Sequence, residues 1–135
     1  MLKLIIGNKG SGKTKQLIEM VNAALDKTNG SVVCIEKGDK LRFDVKYQCR
    51  LIDTEAFGIN GCCGLYGFVC GILASNNDVT DLYIDSALKV CDNDLEKFDK
   101  FVARLGEFAE KCDVNFVVTS SIAPEDASET VKKYL

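Results

Sequence analysis

Histidine and tryptophan are missing from this chain, and proline occurs once. The seven cysteines, at positions 34, 49, 62, 63, 70, 91 and 112, form no Cys-x-x-Cys pair. With neither histidine nor paired thiols to supply ligands, the sequence argues against a zinc site. Most of the cysteines sit inside apolar runs, as small buried hydrophobes do, and the expectation is a reduced, cytoplasmic protein. Positive charge is not in excess either: 17 Lys and Arg face 20 Asp and Glu, a formal net charge of −3. No global basic field is available to hold a polynucleotide, so a nucleic-acid partner is not indicated and would need a local patch. The uncharged stretch Gly61 to Ala74 falls short of the about 20 apolar residues that cross a bilayer. Met1-Leu2-Lys3-Leu4 lacks the charged region and cleavage site of a secretory signal, so no membrane role is expected.

What is present is enough apolar material, 47% of 135 residues, for one domain over residues 1–135 with its own core. Its organising stretch is Gly7-Asn8-Lys9-Gly10-Ser11-Gly12-Lys13-Thr14, which meets every fixed position of the phosphate-binding pattern GxxxxGK(S/T). A short apolar run ending at Gly7 precedes it and a helical pattern starts at Lys13, giving the strand, loop and helix that such a motif requires. The glycines let successive N–H groups wrap an anion at the helix start. Lys13 would set its charge on the β- and γ-phosphate oxygens, and the Thr14 hydroxyl would take one position on Mg²⁺.

Apolar positions 17, 18, 21, 24 and 25 predict an amphipathic helix over 13–28, closed by a left-handed cap at Asn29-Gly30. Val32 to Ile35 read as a covered parallel strand, expected beside the strand that carries the glycine loop. Residues 36–61 are harder: Leu41, Phe43 and Val45 alternate, suggesting extended structure, and Arg50 to Asp53 could be a further strand. Gly61 to Ala74 is expected to be a buried helix whose glycines allow close packing, with a homo-oligomer or protein-partner interface as the alternative. Leu82-Tyr83-Ile84-Asp85 is a short strand ending in a carboxylate. Phe98, Phe101, Val102, Leu105 and Ala109 mark a helix over 94–112 capped by Asp92 or Asp94. Asn115 to Thr119 form a last strand, and Pro124 precedes a short polar helix. Alternating strands and helices imply an α/β fold, a three-layer sandwich around a mostly parallel sheet of roughly four to five strands.

Ligands in such sheets lie at the carboxyl ends of the strands. Asp85 is therefore the candidate Mg²⁺ partner of Thr14, and Glu36 the candidate base for an attacking water. Thr119 and Ser120, with Ser121 beside them, are candidates to sense the γ-phosphate. The glycine motif and the Leu82–Asp85 strand resemble the P-loop NTPase superfamily over most of the chain, and Val32 to Glu36 is similar to its RecA-like branch. That resemblance implies ATP and Mg²⁺ as ligands, a glutamate at position 36 that serves hydrolysis, and a polar sensor strand end. GTPases and MinD-like ATPases fit less well, for Val118 to Ile122 is no Asn-Lys-x-Asp motif and Asn8 stands where a signature lysine would. Ser86 follows Asp85 where many relatives carry glutamate. The reading is an ATP-binding protein with slow or partner-stimulated hydrolysis. The alternatives are a P-loop phosphotransferase and a non-enzymatic nucleotide-responsive module.

Overall fold

The computed structural model describes residues Met1 to Leu135. Five strands, β1 (Leu2–Ile6), β2 (Ser31–Glu36), β3 (Arg50–Asp53), β4 (Val79–Ile84) and β5 (Asn115–Ser120), form one parallel sheet in the order β1-β5-β4-β2-β3. The helices are α1 (Lys13–Lys27), α2 (Gly61–Ser75), α3 (Ala87–Val90), α4 (Leu95–Lys111) and α5 (Glu129–Lys132).

Strand residues alternate between two cores because successive side chains leave opposite faces of a sheet. Leu2, Leu4, Val33, Ile35, Leu82, Ile84, Phe116 and Val118 meet Leu65 and Val69 of α2 and Phe98, Phe101, Val102 and Leu105 of α4. Ile5, Val32, Cys34, Tyr83 and Val117 meet Leu17 and Val21 of α1. The result is the expected three-layer α/β sandwich, and no helix is long and apolar enough to cross a membrane. Helix α4 starts where the Asp94 carboxylate, rather than Asp92, accepts the Lys97 N–H at 3.1 Å. The free edge of β1 receives the last residues of the chain, Leu4 N donating to Tyr134 O at 2.8 Å.

Several expectations are corrected. Strand β2 is not beside β1, since β5 and β4 lie between them. Residues 37–49 form turns rather than extended structure: Leu41, Val45 and Cys49 all point into the core, a repeat of four that no strand can satisfy. Helix α1 ends at Thr28 in an extended conformation, with no left-handed Gly30. Gly30 is instead a close approach, because a Cβ there would run into the Asp78 carbonyl. In α2 only Cys62, Leu65 and Val69 are buried, while Gly67 and Gly71 face open space and pack against nothing. Strand β4 starts earlier than expected, at Val79. The polar helix after Pro124 shrinks to a 3-10 turn and the one turn of α5. Nor are all the thiols free, since Cys62 and Cys91 are joined in a disulfide that ties the start of α2 to the end of α3.

Candidate functional site

Read along the carboxyl edge of the sheet, the strand ends place the candidate residues in a row. The glycine loop leaves β1 after Ile6, which pairs with Ser120 as Ile5 pairs with Thr119. Next comes Asp85 at the end of β4, then Glu36, then Asp53 opposite Glu36 on β3. The Asp85 N–H donates to Ile35 O at 2.8 Å, so the β4 end remains fixed against β2.

The loop itself turns because Gly10 and Gly12 stand at φ 83° and 89°, a region that side-chain-bearing residues rarely enter. Gly12 is the N-cap of α1, and no side chain caps the first amides of that helix. Lys13 is buried at 9% exposure, its Nζ donating to Asn8 O at 2.9 Å and to Ser11 Oγ at 3.4 Å. The ammonium thus folds onto its own loop, while Asn8, Lys9 and Ser11 are exposed around it.

Asp85, 7% exposed, is the hub. Thr14 Oγ1 donates to its carboxylate at 3.2 Å from Oδ1 and 3.3 Å from Oδ2, across 71 residues of sequence. Thr119 Oγ1 donates to Oδ1 at 2.8 Å and accepts the Ser86 N–H at 2.8 Å. Ser86 Oγ lies 3.4 Å from Oδ2. Ser86 occupies the left-handed region at φ 54°, a strained conformation for a serine that the contact with Thr119 helps to hold. Nothing in the sequence marks Ser86 for this role; only the backbone path from β4 into α3 creates it. Ser120, by contrast, is buried with its hydroxyl on Thr119 O at 2.7 Å and does not reach the carboxylate.

Glu36 is 3% exposed, and its oxygens are engaged: Oε1 accepts Lys40 N–H at 3.2 Å and Oε2 accepts Leu41 N–H at 3.0 Å. Burial raises its pKa above the usual glutamate value; the two amides oppose that shift and the charges of Asp85 and Asp53 add to it. Asp53 works similarly, its Oδ1 accepting Gly38 N–H at 2.7 Å and Glu55 N–H at 2.9 Å. Both acids therefore brace the segment after β2. Burial also pushes the Cys49 thiol up to about 11, which keeps it protonated and inert.

Chemically, the hub gathers the Asp85 carboxylate and the hydroxyls of Thr14, Thr119 and Ser86, oxygen donors of the kind a hard divalent cation takes. No cluster of three or more His, Cys, Asp or Glu side chains is present, so these side chains alone would not complete the coordination of a metal ion. A cavity of about 460 Å³ between α2 and α4 is lined by Tyr66, Lys97 and Arg104 and contains none of these residues. The chain matches no protein-family model and no curated protein.

Proposed function

We propose that this protein binds a nucleoside triphosphate, ATP, together with Mg²⁺ on residues Gly7 to Thr14, and hydrolyses it slowly or when a partner stimulates it. The observation that carries the reading is the hydrogen bond of Thr14 to Asp85, which joins the loop's last residue to the carboxylate at the end of β4. A glycine-rich turn needs no such partner, whereas a Mg·phosphate site needs an acid beside that hydroxyl.

In this reading the uncapped amides at the start of α1 bind phosphate oxygens, and the Lys13 ammonium leaves Asn8 O for the β- and γ-phosphates. Thr14 and Asp85 hold the cation, which when bound would neutralise charge on the bridging and terminal phosphate oxygens. Thr119 holds the Asp85 carboxylate through Oδ1, so its role is to position that ligand rather than to touch the phosphate. Glu36 is the base proposed for the attacking water. Both of its oxygens already accept backbone amides, which fixes the carboxylate and leaves each oxygen one further lone pair for a proton, a constrained geometry in keeping with slow turnover. The same engagement favours the second reading, a nucleotide-responsive module without hydrolysis. The cytoplasm, where ATP is abundant, is the proposed setting, and the thiol pool there would exchange with the Cys62–Cys91 bond.

The test is γ-labelled ATP with and without small acceptors. Labelled phosphate supports hydrolysis, labelled acceptor supports a phosphotransferase, and binding without release supports the module. Absence of any ATP binding overturns all three.

A further inference from the structure

The segment between β2 and β3 contains neither strand nor helix, yet it is held in one shape. Leu41, Val45 and Cys49 are buried in the core under α1, and every residue between them is exposed. Lys40 N and Leu41 N sit on Glu36, Val45 N donates to Leu41 O at 3.0 Å, and Asn22 of α1 clamps Asp44 O and Lys46 N, each at 3.1 Å.

This frame displays a short repeat. Each of the first two buried residues is followed by a cation and then an aromatic ring: Leu41-Arg42-Phe43 and Val45-Lys46-Tyr47. The third, Cys49, is followed by Arg50. Phe43 is 84% exposed and Tyr47 91%, although rings of this size gain much by burial. The Arg42 guanidinium lies 4.7 Å from the Phe43 ring centroid. Four cations, Lys37, Lys40, Arg42 and Lys46, with Arg50 at the first position of β3 as a fifth, stand here against Asp39 and Asp44, in a chain whose net charge is −3. Arg42 and Lys46 make exposed salt bridges, to Asp39 and Asp26, while Lys37, Lys40 and Arg50 make none.

We propose that residues 37–50 bind single-stranded nucleic acid, with bases stacked on Phe43 and Tyr47 and phosphates met by Arg42, Lys46 and the flanking cations. A polymer that alternates anions with flat unpaired rings matches a surface that alternates cations with exposed rings. A duplex keeps its base faces stacked internally and offers the two rings nothing. An anionic membrane fits poorly, because the segment's aliphatic side chains, Leu41 and Val45, are buried and cannot enter hydrocarbon. The patch is the local one that a chain without a global basic field requires.

Fluorescence anisotropy of a labelled oligothymidylate, titrated at several salt concentrations, tests this. Binding is expected at low salt, with a logarithmic salt slope of about −0.7 per phosphate met and so no steeper than about −3.5 for five cations. Phe43→Ala and Tyr47→Ala should each weaken binding by about five- to a hundredfold, while Phe43→Tyr and Tyr47→Phe retain it. Arg42→Gln and Lys46→Gln should each flatten the slope by about 0.7. Unchanged thermal unfolding of the variants, expected at such exposed positions, shows that the frame is intact. Lys13→Ala should bind the strand normally. No binding at low salt overturns the proposal, as does affinity indifferent to the rings, equal affinity for a duplex, or loss of binding with Lys13→Ala. Sedimentation with phosphatidylserine vesicles in place of strand binding would reassign the surface to membranes.

Discussion

Replacing Glu36 by glutamine separates two roles that the geometry superimposes. The carboxylate accepts two backbone amides on separate oxygens, from Lys40 and Leu41, and a glutamine keeps only one of those two acceptor atoms. Its NH₂ group would face the other amide, donor against donor. A hydrogen bond to a charged group contributes about 1.5–3 kcal/mol, and an orphaned buried donor costs about 1–3 kcal/mol. Relief from burying an ionised carboxylate offsets part of that loss. A net destabilisation of about 1–3 kcal/mol is expected, or a fall in Tm of about 3–9 °C for a domain of this size. Circular dichroism through thermal unfolding measures it. The pH dependence gives an independent sign. The folded-state pKa of Glu36 is raised, so the native state holds this proton more tightly than the unfolded chain does. Its contribution to stability is full below the ordinary glutamate pKa and is lost as pH rises through the folded value. Wild type should therefore gain a stability increment on mild acidification that Glu36→Gln lacks. If Glu36 is also the base, phosphate release under saturating Mg·ATP falls by about ten- to ten-thousandfold in the variant. A Tm within about 1 °C of wild type would refute the bracing argument. Equal turnover in a destabilised variant would leave Glu36 as a brace alone.

Lys13→Ala should abolish most ATP affinity in isothermal calorimetry while the fold persists, since the side chain contacts only its own loop; unchanged affinity would remove the loop from the site. Asp85→Asn should weaken Mg·ATP far more than metal-free ATP, because the carboxylate acts through the ion. Equal losses with and without Mg²⁺ would exclude it. Reduction of Cys62–Cys91, which are 29 residues apart, should lower stability by about 3–4 kcal/mol in guanidinium unfolding if loop entropy governs. No change on adding dithiothreitol would mean that the reduced chain is already held by packing.

Where a residue's role was set by its immediate neighbours, the sequence revealed it. The glycine pattern ends where α1 begins, and the spacing of Phe98, Phe101, Val102 and Leu105 marks the buried face of α4. Asp85 could be placed because a covered strand leads straight to it. Roles set across the sheet were hidden. Strand order decides that two strands, β5 and β4, separate Glu36 from the glycine loop, and no local pattern encodes that order. Leu41, Phe43 and Val45 imitate the alternation of a strand, yet Phe43 points outward and the true inward period is four, set by contacts with α1. The partner of Cys62 was illegible for the same reason, because only the turn into α3 brings Cys91 within reach.

The position of β1 at the border of the sheet also orders events in time. Its one neighbouring strand is β5, which begins at Asn115, so β1 has no strand to pair with until β2, β3 and β4 have already been synthesised. β2, β3 and β4 can associate earlier, since each already has its partner within residues 31–84. Thr119, which steadies Asp85, arrives on the same late strand that recruits β1. The glycine loop and its acidic partner are thus brought together by a single closing step, and a nascent chain on the ribosome cannot assemble this site before β5 has emerged.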